Sequence, residues 1–274
     1  MADVYAAINE ADTAVQERLA EVLERRAADH QQQGMLRAYL ADLELPAGAE
    51  VLEVGCGTGP VSRELANRTD VRRVVGVDPS PVFLAAARRL GKSLAKLTFI
   101  EGDGRSLPCD DSSFDAIIFH TTLSHVPEPQ SALAEAYRVL RPGGVMAIFD
   151  GNYTSTTLAT GDFDPLQACA DAAMAALVHD RWLIPRLPGL IRDAGFTLNS
   201  QRSFGFVETV APDYMLTIVD RGADVLTASG RIGAELAAAL KAEARKRIEA
   251  GLFYGAIAYT SIMAKKSPCC GIKP

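Results

Sequence analysis

Between residues 49 and 150, short apolar runs alternate with amphipathic segments, and this alternation limits the fold more than any other feature of the chain. The apolar runs are AEVLEVG, VRRVVGVD, LTFIEGD, FDAIIFH and GGVMAIFD, and helices are predicted at PVSRELANRT, SPVFLAAARRLGK and SALAEAYRVLRP. Strands that are apolar along their length and interleaved with helices are typical of a parallel sheet covered on both faces. The sequence therefore predicts an α/β fold.

Two further β-rich stretches, TLNSQRSFGFVET and FYGAIAYTSIMAKK, bring the predicted sheet to seven strands, most of them parallel. Residues 211–250 lie between these two strands and are helical in pattern, and we expect them to cap the ligand edge of the sheet. A second helical insertion is predicted at about 151–190, and residues 12–45 predict an amphipathic helix. The expected architecture is Rossmann-like, with an N-terminal helical lid over 1–47 and one domain over 48–274.

Charge and cysteine usage exclude several classes of protein. The 274 residues carry a net charge of −6 and a pI near 5.3, which disfavours nucleic acid as a partner. Five cysteines without CxxC spacing favour a reduced compartment and no metal. We expect a cytoplasmic protein, because the chain has no signal-peptide pattern and no apolar stretch long enough to span a membrane. Monomer and homo-oligomer both remain open.

Three glycines, Gly55, Gly57 and Gly59, follow the first predicted strand in the stretch VLEVGCGTGP. Glycine costs backbone entropy, so its use at alternate positions predicts a backbone that a ligand approaches closely. In open α/β sheets, ligands bind beyond the carboxyl ends of the strands, where this turn lies. A dinucleotide site needs the spacing GxGxxG, and Pro60 stands at the sixth position. A nicotinamide-dependent oxidoreductase is therefore disfavoured.

Acidic residues accompany the first three predicted strands. Asp78 ends the second strand, where a carboxylate can accept hydrogen bonds from both ribose hydroxyls. Asp103 ends the third strand, where it can accept a hydrogen bond from the exocyclic amine of adenine, and Glu53 precedes the first glycine, where it can face an ammonium group. Together these positions describe a site for S-adenosylmethionine. In the alternative interpretation, the three acids only cap helices.

The stretches VLEVGCGTG, VVGVDPS, EGDGRSLPCDDSSFDAI and HVPEPQSALAEAYRVLRPGG resemble the class I S-adenosylmethionine-dependent methyltransferases, in particular the branch with the UbiE-type enzymes of ubiquinone and menaquinone biosynthesis. The resemblance covers about residues 48–150. It implies that Glu53, Gly55, Gly57 and Gly59 bind the methionine part, Asp78 the ribose, and Asp103 with Gly104 the adenine, and that Cys56, Pro79, Arg105, His120 and Tyr5 also contact the cofactor. The segment 211–250 departs from the UbiE pattern and argues against a quinone precursor as acceptor.

Methyl transfer is an in-line displacement at a sulfonium carbon, so alignment and exclusion of water supply much of the rate. A base is needed only when the acceptor carries a proton at neutral pH. His120 and His125 follow the fourth strand, where the methyl group is expected, and are the candidate catalytic bases. A histidine base would titrate near pH 6.5. In the alternative, His120 lines the cofactor pocket and His125 packs within its turn.

The acceptor is predicted to meet residues that follow the fifth strand, namely Asp150, Asn152 and Tyr153. His179 and Trp182 belong to a polar and aromatic cluster that lines the acceptor pocket or, equally, joins the inserted helix to the core. The predicted function is S-adenosylmethionine-dependent methylation of a small molecule at oxygen, nitrogen or carbon. The alternatives are a non-catalytic S-adenosylmethionine-binding sensor or partner subunit, and methylation of protein or RNA.

Overall fold

The structure, a computed structural model, describes residues 3–267. Its centre is a seven-stranded sheet with the order β3-β2-β1-β4-β5-β7-β6. The strands are β1 (Ala49–Val54), β2 (Val71–Asp78), β3 (Leu97–Glu101), β4 (Phe114–His120), β5 (Leu140–Thr157), β6 (Phe196–Glu208) and β7 (Gly255–Lys266). The strands β1 to β5 pair in parallel, and β7 runs antiparallel to both β5 and β6. The predicted seven-stranded, mostly parallel sheet is confirmed.

Helices cover both faces of this sheet. They are α1 (Thr13–Ala28), α2 (His30–Ala41), α3 (Pro60–Ala66), α4 (Pro81–Leu90), α5 (Pro129–Val139), α6 (Leu166–Leu177), α7 (Leu183–Asp193), α8 (Asp213–Ala228) and α9 (Ala234–Glu249), with short 3-10 turns at Ile8–Glu10 and Leu123–His125. Successive strand residues point to opposite faces. Val51 and Ile118 therefore pack with α2, α3, α6 and α8, whereas their neighbours Leu52 and Ile117 pack with α5 and α7.

The helical segment predicted over 12–45 is present as two helices, because the chain breaks between α1 and α2. Asp29 lies at the break with an extended backbone, and its side chain accepts hydrogen bonds from the backbone N–H groups of Gln31 and Gln32. An aspartate that caps the second helix in this way stabilises a new helix start. The apolar spacing continues across the break and gives no sign of it.

The polar stretch after Asp150 is also more regular than the sequence predicts. The strand β5 continues to Thr157, and residues Gly151 and Asn152 pair with Tyr259 and Ala258 of β7. The antiparallel neighbour supplies hydrogen bonds that make a polar segment stable as a strand, and a β-bulge follows Asn152. The helix α7 ends at Asp193, shortly before Gly195, whose φ of +91° is a left-handed conformation that favours glycine at the end of a helix.

Residues 211–250, called here the insertion, form α8 and α9 between β6 and β7 as predicted. The helix α8 packs against α6, and its buried residues Met215, Ile218 and Val219 belong to the larger hydrophobic core. By contrast, the N-terminal segment (residues 3–28) has a small apolar cluster of its own, where Ile8 and Leu19 meet Phe83, whereas α2 packs into the larger core through Met35 and Tyr39. No helix in the described range has the length and apolar character needed to cross a membrane.

Candidate active site

A cavity of about 370 Å³ lies beyond the carboxyl ends of β1, β2, β3 and β4, under the N-terminal segment. Many of the predicted site residues line it, namely Tyr5, Glu53, Gly55, Cys56, Gly57, Asp78, Pro79, Asp103, Gly104, Arg105, His120 and His125. The remaining predicted residues, which are Gly59, Asp150, Asn152, Tyr153, His179 and Trp182, are not among its lining residues. The structure therefore gathers most of the predicted cofactor residues and none of the predicted acceptor residues.

The glycine turn after β1 adopts a left-handed backbone at all three glycines, with φ of +70° at Gly55, +53° at Gly57 and +78° at Gly59. A Cβ atom at Gly55 would overlap the Thr122 side chain, and one at Gly59 would lie 2.6 Å from the Phe99 ring. At Gly55 and Gly59 the protein's own side chains therefore exclude a Cβ atom, in addition to any ligand that approaches the turn. Gly57 differs, because a Cβ there meets only an α1 leucine methyl group, 3.0 Å away at the cavity's cover.

Asp78 joins the glycine turn to the end of β2. One carboxylate oxygen accepts a hydrogen bond from the Gly57 N–H at 2.8 Å, and the other accepts one from the Ser80 N–H at 2.9 Å. Burial raises the pKa of Asp78 to about 6. The same turn contains a buried hydroxyl, Thr58 Oγ1, that has no hydrogen-bond partner in residues 3–267. The turn thus presents a fixed carboxylate and an unsatisfied polar group at one end of the cavity.

Glu53 is almost completely buried below the turn, where it accepts a hydrogen bond from the Ser62 hydroxyl. Burial raises its pKa to about 8, and the negative charge of Asp78 acts in the same direction. The carboxyl group is therefore mostly protonated at neutral pH. A cationic group entering the cavity would favour its ionised form.

Asp103 stands at the exposed edge of the cavity, after β3. Its Oδ2 accepts a hydrogen bond from Arg105 Nη2 at 2.7 Å, and this pairing lowers the pKa of the carboxyl group. The side chain retains 47% of its exposure, in contrast to the buried carboxyl groups of Glu53 and Asp78. The three predicted acids thus occupy three different environments around one cavity.

His120, at the end of β4, is held between aromatic rings. Its Nδ1 lies 3.0 Å from the Tyr39 hydroxyl, and its ring stacks on Phe149 with 4.8 Å between centroids. Burial, together with the nearby charge of Arg26, lowers the pKa of His120 to about 3. The expected titration near pH 6.5 is therefore wrong for this residue, and the imidazole is neutral at physiological pH.

His125 anchors the start of the chain over the cavity. Its Nδ1 lies 2.7 Å from Asp3 Oδ2, and the same oxygen accepts a hydrogen bond from the His179 N–H at 2.8 Å. The other Asp3 oxygen accepts one from the Tyr5 N–H, and the Tyr5 ring lies 5.0 Å from the His125 ring. This set of contacts, called here the Asp3 anchor, fastens the N-terminal segment to the loop after β4.

Asp150, predicted to face the acceptor, is completely buried and supports that loop instead. Its carboxylate accepts hydrogen bonds from the Ser124 hydroxyl at 2.9 Å, the Ser124 N–H at 3.1 Å and the Gly151 N–H at 2.8 Å. Burial raises the pKa of Asp150 despite these bonds. The residue therefore holds the 3-10 turn that carries His125, which is a positioning role.

The other predicted acceptor residues are dispersed. Asn152 accepts a hydrogen bond from the Thr154 hydroxyl at the end of β5. Trp182 is 54% exposed, with the Arg181 guanidinium carbon 5.8 Å from its ring centroid. His179 contributes its backbone to the Asp3 anchor, and Tyr153 is buried among neighbouring rings. Their sequence proximity to the fifth strand did not place these side chains in the cavity.

Several lining residues come from α1 and α2 and were not predicted, among them Leu23, Arg26 and Gln32. A signal for Arg26 does exist in the sequence. Leu19, Leu23 and Arg26 follow each other at steps of four and three, so the arginine lies on the apolar face of α1. No cluster of three or more His, Cys, Asp or Glu side chains suited to a metal occurs within residues 3–267.

Comparisons with known proteins agree with this geometry. Residues 52–148 match the family model described as a methyltransferase domain. The chain is 37% identical over 116 residues to the 2-phytyl-1,4-naphtoquinone methyltransferase of Thermosynechococcus vestitus, covering 42% of this chain and 52% of the relative. It is 42% identical over 112 residues to the demethylmenaquinone methyltransferase of Tropheryma whipplei, covering 41% of this chain and 46% of the relative.

The chain thus spans about half the length of these curated relatives. Among solved structures, a protein of Bacillus halodurans named as a candidate methyltransferase shares the fold, with a TM-score of 0.63 and 22% identity over 85% of this chain and 98% of that one. The matched residues 52–148 contain the glycine turn, Asp78, Asp103 and His120. Residues 52–148 are therefore similar to a methyltransferase domain, and the sheet around them has the Rossmann-like fold of class I S-adenosylmethionine-dependent methyltransferases.

Proposed function

We propose that the protein transfers a methyl group from S-adenosylmethionine to a small-molecule acceptor. The observation that supports this most strongly is the arrangement of one cavity. It collects the glycine turn, Glu53, Asp78 and Asp103 at the carboxyl ends of three neighbouring parallel strands. Each group has the chemistry that one part of the cofactor requires.

The residues present fit this cofactor. The buried Glu53 carboxyl group would hold the ammonium group, and Asp78, fixed by two backbone N–H groups, would accept hydrogen bonds from the ribose hydroxyls. Asp103 would meet the adenine amine, and Thr58 Oγ1 is a buried hydroxyl that still lacks a partner in the described range. The bound cofactor would supply a methyl group on a positively charged sulfur atom.

On the acceptor side, the chain orients groups and excludes water. The lowered pKa of His120 makes its imidazole a weak base, and its Nδ1 is engaged with Tyr39, so in this proposal the ring forms a wall of the cavity. The Asp3 anchor holds the N-terminal segment over the opening. Alignment in a dry cavity is the larger source of rate for a displacement with a good leaving group.

A small acceptor is supported by the enclosure of the cavity and by the relatives. The N-terminal segment covers it, which leaves little room for a protein or RNA strand. The acceptors in the names of the two curated relatives, a phytyl naphthoquinone and demethylmenaquinone, are small molecules. The acceptor of this chain would enter from the side of β4 and β5, past His120.

The proposal is tested by calorimetry with S-adenosylmethionine, S-adenosylhomocysteine and NAD. The first two should bind and NAD should not. The substitution Asp78→Asn should weaken S-adenosylhomocysteine at least about tenfold, the effect of losing a hydrogen bond to a charged group. Asn is preferred to Ala because it retains one acceptor for the Gly57 or Ser80 N–H.

Asp70 provides the matched control, because it precedes the same strand at the opposite edge of the sheet. Asp70→Asn should leave the affinity for S-adenosylhomocysteine unchanged. Melting temperatures of both variants separate a loss of fold from a loss of binding. Binding of NAD, or an unchanged affinity in a folded Asp78→Asn protein, would contradict the proposed cofactor site.

A further inference from the structure

Arg26 projects from α1 to the lining of the cavity without a carboxylate to balance its charge. Arg26 Nη2 donates a hydrogen bond of 3.5 Å to the Tyr259 hydroxyl. The guanidinium carbon lies 5.6 Å from the centroid of the Tyr259 ring. Within residues 3–267, no Asp or Glu side chain approaches it within 4 Å. A guanidinium removed from bulk water without an anion is costly.

Other buried cations of this protein are compensated. Arg247 is 16% exposed and pairs with Asp164 at 2.6 Å and Glu243 at 2.9 Å. Arg63, 21% exposed, pairs with Glu24 at 2.9 Å. The Lys266 ammonium group donates to two backbone carbonyl oxygens, at 2.6 and 2.7 Å. Arg26, which is also half-buried, has no such carboxylate or carbonyl partner within the described residues.

Arg26 is in contact with the Tyr259 ring, and Tyr5 lines the same cavity. Burial acts to lower the pKa of Arg26, but Tyr259, Tyr153, Tyr214 and Tyr5 act to raise it, and the net shift is upward. These four residues come from β7, the end of β5, α8 and the start of the chain. A permanent cation that lines a cavity beside a tyrosine hydroxyl, without a carboxylate partner, is suited to an oxyanion.

The position of Arg26 separates this group from the predicted cofactor contacts. The acids proposed to hold the cofactor follow β1, β2 and β3, on one side of the cavity. Arg26 instead lies against Tyr259 of β7, beyond His120, on the side of β5 and β7. An anion at Arg26 would therefore occupy the space left to the acceptor.

Resting on the proposed methyltransferase function, we propose that the acceptor is a small organic acid whose carboxylate is bound by Arg26. A single guanidinium balances one negative charge, and its planar fork matches the two oxygens of a carboxylate. A phosphate dianion would leave one charge unbalanced. The carboxylate fixes one end of the acceptor so that its nucleophilic atom faces the cofactor.

The test measures binding of acid and amide pairs to the protein saturated with S-adenosylhomocysteine. The pairs are acetate and acetamide, benzoate and benzamide, and 4-hydroxybenzoate and its amide. We expect at least one acid to bind at least about tenfold more tightly than its amide. Arg26→Gln should remove this preference, whereas Arg25→Gln, an exposed arginine one residue away on the same helix, should retain it.

A carboxylate could also come from the cofactor itself, and a second measurement distinguishes the two sources. S-adenosylhomocysteine and its decarboxylated analogue are titrated into the unmodified protein and Arg26→Gln. If Arg26 binds the acceptor, the substitution changes both affinities by less than about threefold. A loss confined to the carboxylated ligand would assign Arg26 to the cofactor and overturn the proposal.

The proposal is also overturned if all three acids fail to bind, if acids and amides bind equally, or if the preference survives in Arg26→Gln. These failures differ from a failure of the proposed function. If S-adenosylhomocysteine itself does not bind, the cofactor assignment is at fault. If it binds normally and no acid follows, only the acceptor class is wrong.

Discussion

Two helical segments of this chain were expected to cover the ligand site, and only one of them lines the cavity. The N-terminal segment contributes Tyr5, Leu23 and Arg26 to the lining, whereas no residue of the insertion (211–250) is among the lining residues. The segments also differ in packing. The insertion shares the main hydrophobic core through α8, and the N-terminal segment rests on a small cluster around Phe83 and on the Asp3 anchor.

This difference separates a cover, here the N-terminal segment over the cavity, from a scaffold, here the insertion that forms part of the core. A cover must open, so it is drawn from the parts of a fold with little apolar burial of their own. A helix such as α8, with Met215 and Val219 completely buried against α6, cannot leave without exposing the core. A helical segment next to the ligand edge of a sheet therefore need not cover the ligand. The amount of apolar surface that the segment buries against the core is the better guide.

The strongest test of the comparison uses two glycines with a left-handed backbone, one that faces the N-terminal segment and one in the insertion. Gly57 has a φ of +53° and faces the cavity's cover, and Gly230 has a φ of +70° in the turn between α8 and α9. A valine is strained at both positions. We expect Gly57→Val to weaken S-adenosylhomocysteine by about 100-fold or more, close to 3 kcal/mol, in calorimetry.

Gly230→Val is the control for the strain, because nothing lies within 4 Å of a Cβ atom at that position. It should lower the melting temperature but leave the affinity for S-adenosylhomocysteine within about twofold of the unmodified protein. Equal losses of affinity in the two variants would show that strain alone is responsible. The insertion would then influence the site as strongly as the glycine turn does.

A smaller effect should come from the protonation of Glu53. Because burial raises its pKa to about 8, the carboxyl group of the free protein is mostly protonated below that pH. Holding the cofactor's ammonium group requires the ionised form, so binding releases a proton and affinity rises with pH. The affinity for S-adenosylhomocysteine should rise by nearly tenfold per pH unit between about pH 6 and 7. Calorimetry in two buffers of different ionisation enthalpy measures the affinity and the proton released.

Glu53→Gln should remove this slope. Asp164 provides the matched control for Glu53. It is an acidic residue in the loop that α9 contacts. Burial acts to raise its pKa, but the bond with Arg247 and other hydrogen bonds lower the pKa overall, so Asp164 is already ionised. Asp164→Asn should leave the slope unchanged. A flat pH dependence in the unmodified protein would remove Glu53 from the ammonium site.

The smallest effect on affinity should follow from loosening the Asp3 anchor. Asp3→Asn removes the charge shared by His125 and the His179 N–H, so the N-terminal segment should open more often. We expect amide hydrogen exchange over residues 4–28 to accelerate about tenfold and the affinity for S-adenosylhomocysteine to fall about threefold, in proportion to the closed population.

Asp220→Asn tests the same kind of change in the insertion, since Asp220 pairs with Arg245 at 2.8 Å between α8 and α9. It should leave both measurements unchanged, as expected for a surface ion pair. Bound S-adenosylhomocysteine should slow exchange in the N-terminal segment and not in the insertion. Slowing of both segments to the same extent would contradict the distinction between cover and scaffold.

The parts of the molecule that could be predicted are those in which local sequence decides the structure. The apolar runs predicted seven strands, and the residues at their ends, such as Asp78 and His120, are placed by strand direction alone. The acceptor side could not be predicted in this way. Arg26 and Tyr259 are separated by 233 residues and meet only through packing of α1 over β7.

The errors have local physical reasons as well. Asp150 follows a strand as a site residue would, but a buried serine N–H and hydroxyl group turn it inward. The environment of His120 is made by Tyr39 and Phe149 from α2 and β5, so its lowered pKa has no counterpart in the sequence around it. Sequence position shows which residues lie at the end of a strand. Tertiary contacts determine whether their side chains are charged and where the side chains point.

The reversed direction of β7 has a consequence for how this enzyme class can diversify. Because β6 and β7 are antiparallel, Glu208 and Gly255 lie side by side, and the whole insertion departs from and returns to one edge of the sheet. Its length and sequence can therefore change without shifting the register of the five parallel strands. If Arg26 binds the acceptor as proposed, an exchanged insertion would alter acceptor choice through Tyr214 of α8, which acts on the pKa of Arg26, and would leave the glycine turn unchanged.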